Sequence, residues 1–326
     1  MLHQLAVGEK SMPVYCTFTL NKKTTSALVC SGFGAAALLS IVAIASKRRK
    51  FLFRPMDFIK QRRQSFVNES YFKWLSGFRV ESIDLWSRTL PANGTAEQKQ
   101  ATAAFLRADA RFKLLMLRYT AGESIEPMRA EMDEIVADYE QAAKWQGKEF
   151  GRPDWPAFRL GELAEYEHAM QLIGLCFLLH RKDLLPRIAA LHDPAYRGQD
   201  TLYEDLLDYA LDGRLDVDEW FHESYRDCIN SMYGDSDEES VADLDTYLGQ
   251  WYSSMSDVGW YDSHLNLSED WGLYFGYWAI EAAAIAFILE LDDTTLRKHS
   301  VYPKDLVDFA RNFKPSPLGG SNRNLA

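Results

Sequence analysis

From Asp57 onward the apolar positions recur with helical spacing, and no run of strand-like alternation interrupts them. Thr95 with Gln98 three residues on forms a capping box, which opens a helix. Its apolar stripe is Ala101, Ala104, Phe105, Ala108, Phe112, Leu115, Met116 and Tyr119, and Gly122 stops it. Ser124 is placed to cap a second helix with Met128, Met132, Ile135, Val136, Tyr139 and Ala143 inward, closed by Gly147 and Gly151. A third runs from Leu160 to Leu178. A break is expected near Asp193-Pro194 to Gln199, followed by shorter acidic helices. Ser268 then reads as the cap of a helix from Trp271 to about Leu289, apolar all round and therefore central. Tyr302-Pro303 opens a last short helix, and Lys314 to Ala326 reads as a disordered tail.

The pattern predicts an all-α protein, a two-domain helical array with segments 57–197 and 200–313. Ahead of it lies a leader, residues 1–55. Thr24 to Ser46 carries no charge, and Lys47-Arg48-Arg49-Lys50 follows at once. Residues 24–46 are long enough for a single membrane-spanning helix that would keep the body in the cytoplasm. Two other readings compete. Ala43-Ile44-Ala45 resembles a signal-cleavage site, and Met56 is an alternative start that would make the leader an upstream extension.

Charge sharpens this picture. Residues 1–63 hold eleven Lys and Arg against Glu9 and Asp57, a net of +9, whereas the remaining 263 residues are at −20. A body so acidic repels phosphate backbones, so direct nucleic-acid binding is not expected, and a basic partner is. Most of the excess falls in residues 200–245, where sixteen Asp or Glu face only Arg214 and Arg226. Asp212, Asp216, Asp218, Asp235, Asp237, Glu238, Glu239, Asp243 and Asp245 are the candidate partner-binding residues. The bland alternative is a set of solvated helix faces. A calcium loop is disfavoured because Asp212-Gly213, Asp216 and Asp218 lack the order such loops need.

Catalytic motifs are absent: no H-E-x-x-H, G-x-S-x-G, phosphate loop or dinucleotide fingerprint occurs. No metal site or cofactor is expected. Two Glu-x-x-His pairs, Glu165 with His168 and Glu219 with His222, allow a di-metal helical enzyme as a remote alternative. Four cysteines without a C-x-x-C pair suit a reducing compartment. Glu281 is the only charge between Trp271 and Leu289, and reads as a hydrogen-bonded anchor between helices rather than a general base.

One block has a recognisable form. Trp251-Tyr252, Trp260-Tyr261-Asp262-Ser263-His264, Tyr274-Phe275-Gly276-Tyr277-Trp278-Ala279-Ile280-Glu281-Ala282-Ala283-Ala284, Asp292-Asp293 and Tyr302-Pro303-Lys304-Asp305-Leu306 occur in this order. This resembles the C-terminal domain of the PoNi family, immunity proteins that neutralise PoNe-type nuclease toxins. The likeness covers about residues 200–313. Segment 57–195 is similar, more weakly, to the family's helical N-terminal domain, and the leader departs from the family pattern. The resemblance implies a non-catalytic cytoplasmic binder of a basic DNase used in interbacterial competition, tethered to the inner membrane if residues 24–46 span it. It assigns Trp271, Tyr274, Trp278, Glu281, Tyr302, Pro303 and Asp305 to the scaffold and leaves contact to the acidic stretch. A membrane-anchored helical adaptor is the alternative.

Overall fold

The computed structural model describes residues 16–21, 24–30 and 55–314. In the leader, β1 (Cys16–Asn21) pairs with β2 (Thr24–Cys30) as an antiparallel hairpin, Cys16 opposite Cys30. The helix expected over 24–46 is thus corrected at its start. Thr24, Thr25 and Val29 are strand formers, as are Thr17, Phe18 and Thr19 in the partner strand. The rest of that stretch, residues 31–46, and the tail from 315 lie outside the described residues. No helix among the described residues is long and apolar enough to cross a membrane.

The body is all-helical. After α1 (Pro55–Gln61), Asn68 caps α2 (Glu69–Arg88), its side chain accepting from the Tyr71 N–H at 2.9 Å. α3 (Ala96–Thr120) begins at the expected capping box, with Thr95 and Gln98 each satisfying the other's backbone. Gly122, at φ 91°, turns the chain beyond its end, and a side chain there would strike the Gln61 carbonyl. α4 (Glu126–Phe150) starts one residue later than Ser124 would place it: Pro127 sits in its first turn and no side chain caps it. The strongest helix–helix packing joins α2 to α3 and α3 to α4.

α5 (Leu163–Leu178) is buried along most of its length. It is followed by α6 (Leu185–Tyr196), α7 (Thr201–Asp208), α8 (Arg226–Asn230), α9 (Asp237–Ser254), α10 (Ile280–Ile288) and α11 (Lys304–Asn312). Pro194 lies inside α6, which ends at Tyr196, and the chain turns at Gly198, φ 74°, within the span Asp193 to Gln199. α5 packs on α10, α11 and α7. Gly174 allows the α5–α10 approach: a Cβ there would lie 3.0 Å from Ile280 Cγ2 and 3.2 Å from its carbonyl.

The largest departure from expectation concerns residues 271–279. The apolar run from Trp271 is helical only from Ile280, and Ser268 caps nothing; its N–H instead bonds the Trp271 carbonyl at 2.9 Å. Gly272 at φ 141° and Gly276 at φ 123° exclude a helix here. The segment crosses the interior in an irregular, non-helical path, and side chains from the first half of the body take up its carbonyls. Tyr71 Oη donates to Tyr274 O (2.7 Å) and Thr120 Oγ1 to Phe275 O (2.7 Å). Gln64 Nε2 donates to Tyr277 O (2.6 Å) and Gln171 Nε2 to Trp278 O (3.1 Å). A buried irregular segment needs such partners, because its backbone groups otherwise lose their hydrogen bonds. The segments 57–197 and 200–313 consequently share one continuous core, from Phe58 to Ala310.

Candidate functional site: the acidic surface of residues 200–245

The sixteen carboxylates of this stretch divide into those used internally and those facing solvent. Asp200 is buried and caps α7, accepting from the Tyr203 N–H (2.9 Å), the Phe221 N–H (3.0 Å) and the Tyr166 hydroxyl (2.9 Å). Glu204, wholly buried, pairs with Arg214 at 2.8 Å and accepts from the N–H groups of Gly198 and Leu215. Glu223 pairs with Arg226 at 2.7 Å. Of the predicted contact residues, Asp245 meets Lys298 at 2.9 Å and His299 at 2.7 Å. The Lys298 hydrogen bond chiefly holds its carboxyl below the usual range. It is therefore the least available of the nine.

Asp235, Asp237, Glu238 and Glu239 are exposed around the start of α9. Ser236 caps this helix, and Glu239 accepts from the Asp235 N–H at 2.9 Å. Negative charge in a first turn is favoured by the helix dipole, which explains locally why these acids are tolerated together. Asp243, one turn on, is half-buried; burial raises its carboxyl pKa, and Asp227 and Glu239 add to the effect.

Asp212, Asp216 and Asp218 are exposed in the irregular stretch after α7, with no ion-pair partner among the described residues. Here the structure adds residues that sequence reasoning missed. Tyr233, 56% exposed, donates its hydroxyl to Asp205 at 2.6 Å. Burial raises the Asp205 carboxyl, and Asp216, Asp208 and Asp200 raise it further. Asp205, Asp216 and Asp218 likewise act on the Tyr233 hydroxyl, so these groups form one neighbourhood. Tyr209 and Leu215 are also large and exposed. Their only signal in the sequence is that Tyr209 and Tyr233 follow the ends of helices instead of joining an apolar stripe.

The scaffold residues named from sequence sit together around the non-helical segment. Tyr274 is fully buried and donates to Gln64 Oε1. Trp278 Nε1 donates to Thr120 Oγ1 at 2.9 Å, its ring edge-on to Tyr119. Tyr302 donates to Asp293 at 3.0 Å, Pro303 precedes α11, and Asp305 pairs with Arg63 at 2.6 Å. Trp271 is only half-buried. Glu281 is completely buried; its Oε1 accepts from Tyr247 Oη (2.7 Å) and Trp251 Nε1 (2.9 Å).

The Glu-x-x-His pairs do not converge. Glu165 is engaged by Arg159, accepting from its backbone N–H at 2.7 Å. His168 packs against Phe112 and Phe158 and bonds the Tyr139 hydroxyl at 2.8 Å; burial lowers its pKa to about 3. Glu219 is exposed, and the Nε2 of His222 lies 2.8 Å from the Leu160 carbonyl. Among the described residues no group of three or more His, Cys, Asp or Glu could hold a metal ion. The di-metal reading is thereby corrected.

The described body is thus all-helical, with an acidic face whose carboxylates between 212 and 239 lie largely at the surface. Residues 198–306 match the family described as PoNe immunity proteins (PoNi), C-terminal. This region is thus similar to the C-terminal part of PoNi immunity proteins, the likeness its residue pattern led us to expect. The crystal structure of protein PA2201 from Pseudomonas aeruginosa has a similar fold, with a TM-score of 0.60 and 21% identity over 77% of this chain and 90% of that one. No curated protein sequence matches the chain.

Proposed function

We propose that this protein binds and neutralises a PoNe-type nuclease toxin, and that it does so as an inhibitor without catalysis of its own. The observation that carries the reading is the PoNi match over residues 198–306, coinciding with the acidic stretch. A nuclease presents positive charge to the DNA backbone, and a negative surface competes for that charge. Complementary charge also speeds encounter and rejects wrong partners. In this reading Asp212, Asp216, Asp218, Asp235, Asp237, Glu238, Glu239 and Asp243 supply the field. Tyr233, with Tyr209 and Leu215, supplies the apolar area on which affinity concentrates at interfaces. Asp245, already paired, contributes least. The site of action is the cytoplasm, where the toxin would meet chromosomal DNA.

Co-expression with a cognate PoNe-type nuclease tests the reading. Cells should survive with the wild-type protein. Replacing Asp212, Asp216 and Asp218 by Lys should abolish protection while leaving the folded protein intact by circular dichroism. Death of cells that contain the soluble wild-type protein would sink the assignment, whereas full protection by the triple variant would move the contact surface elsewhere.

A further inference from the structure

Glu281 is unlike the other buried acids of this protein. Asp200 is ringed by three hydrogen-bond donors, Glu204 has Arg214, and Asp293 has Arg297 and Arg311. Glu281 projects from α10 with no cation in contact, and only one of its oxygens is bonded; Oε2 is buried and without a partner. The groups facing it from neighbouring elements are all neutral or acidic. α9 presents Tyr247 and Trp251, the short 3-10 turn before α8 presents Tyr225, and α8 presents Cys228. From α5 comes a second buried carboxyl, Glu167, which accepts from Trp260 Nε1 at 2.7 Å and Gln171 Nε2 at 2.8 Å. The Trp251 and Trp260 rings that serve the two carboxyls stack on each other at 5.4 Å. Lys113 of α3 acts on Glu167, lowering its pKa, but makes no contact with Glu281.

An ionised carboxylate in such surroundings would carry a desolvation penalty that no counter-charge offsets. We infer that Glu281 is a neutral carboxylic acid in the folded protein, its Oε1 clasping α10 to Tyr247 and Trp251 of α9 while the proton sits on the unbonded Oε2, so that ionisation at alkaline pH leaves an unpaired charge between these helices and loosens α9 and the acidic residues it carries. Burial is the main cause that moves its pKa to about 7, from an ordinary value of 4.5. Burial again dominates for Glu167, at about 8, with Glu281 adding to it. The sign follows from proton counting. A raised carboxyl pKa means that the folded state holds a proton the unfolded chain has released. The contribution is therefore complete below 4.5, erodes as pH rises, and is gone above about 7. On the unfolding equilibrium this amounts to a change on the order of a hundredfold.

The test compares wild type with Glu281→Gln, an amide that still accepts from Tyr247 and Trp251. Three quantities are read between pH 4.5 and about 8: the carboxylic-acid carbonyl stretch in the infrared, the unfolding equilibrium in urea, and hydrogen exchange of α9 amides corrected for intrinsic rate. Wild type should show a protonated carbonyl band that Glu281→Gln lacks and Glu167→Gln keeps. The variant should lose about a hundredfold of the pH-dependent change in the unfolding constant. Its α9 amides should no longer exchange faster at the alkaline end. Identical bands and identical pH dependence in the two proteins would overturn the inference. If Glu281→Gln does not fold, Glu167→Gln decides: with Glu167 removed, a carbonyl band that survives well above pH 4.5 supports the clasp, and its absence there refutes it.

Discussion

Gln64 gives the sharpest test of how the two halves of the body are joined. It lies just before α2, is 5% exposed, and uses its whole amide on the other half of the chain. Nε2 donates to the carbonyls of Tyr277 (2.6 Å) and Ser300 (2.9 Å). Oε1 accepts from the Tyr277 N–H (3.0 Å) and from the Tyr274 hydroxyl. Gln64→Leu keeps the bulk and strands the Tyr277 N–H and carbonyl and the Tyr274 hydroxyl inside the core, while exposed Ser300 can turn to water. At roughly 1 kcal/mol for each of the three, the low end for an orphaned buried group, the loss is about 3 kcal/mol. That is a large share of the roughly 5–15 kcal/mol that holds a protein folded. Urea denaturation followed by tryptophan fluorescence measures it, since Trp278 lies one residue from the broken bonds. Gln250→Ala, which removes an exposed hydrogen bond to Asp227, is the control and should change stability by less than about 0.5 kcal/mol. A loss below about 1 kcal/mol for Gln64→Leu would refute the idea that residues 274–278 depend on borrowed partners. The same reasoning predicts that an excised fragment 198–313, deprived of Gln64, Tyr71, Thr120 and Gln171, shows no cooperative unfolding transition.

Other outcomes follow from the same geometry. Gly276→Ala puts a Cβ 2.2 Å from Thr120 Oγ1 at a backbone angle of φ 123°, and should destabilise by at least about 2 kcal/mol in the same denaturation assay. Asp293, buried, accepts from Arg311 (2.7 Å), Tyr302 (3.0 Å) and Arg297 (3.1 Å). Burial opposes its charge, but the hydrogen bonds from Arg311 and Arg297 outweigh this and hold its carboxyl below the ordinary 3.8. Its stabilisation is therefore present above pH 3.8 and lost as pH falls through the lower folded value. Asp293→Asn should cost about 3 kcal/mol at neutral pH and flatten the acid limb of a thermal-stability profile. Tyr233→Ala should leave melting unchanged within a degree or two, because the ring is mostly exposed, and yet accelerate dissociation of a PoNe-type nuclease in a surface-binding assay.

What the sequence revealed depended on how local the cause was. The start of α3 was legible because Thr95 and Gln98 lie three residues apart and need only each other. The stripes of α3 and α4 were legible for the same reason. Residues 271–279 were not. Their apolar spacing suits a helix, and the groups that make another path affordable lie more than a hundred residues away in Gln64, Tyr71, Thr120 and Gln171. Only Gly272 and Gly276 hinted at it. The acidic stretch shows the same division. Its density was plain from composition, but its availability was not, since the partner that neutralises Asp245 is Lys298, 53 residues on. Tyr233 escaped notice because solvent exposure of an aromatic ring has no signature in spacing.

The central claim is that an acidic face of this protein holds a basic nuclease by competing with DNA. Its most direct test is the association rate of the purified protein with a PoNe-type nuclease, measured across a range of salt concentrations with and without duplex DNA. The account predicts fast association that slows steeply as salt rises, and that DNA and this protein exclude each other from the nuclease. Binding with a rate indifferent to salt, or a stable ternary complex with DNA, would contradict it.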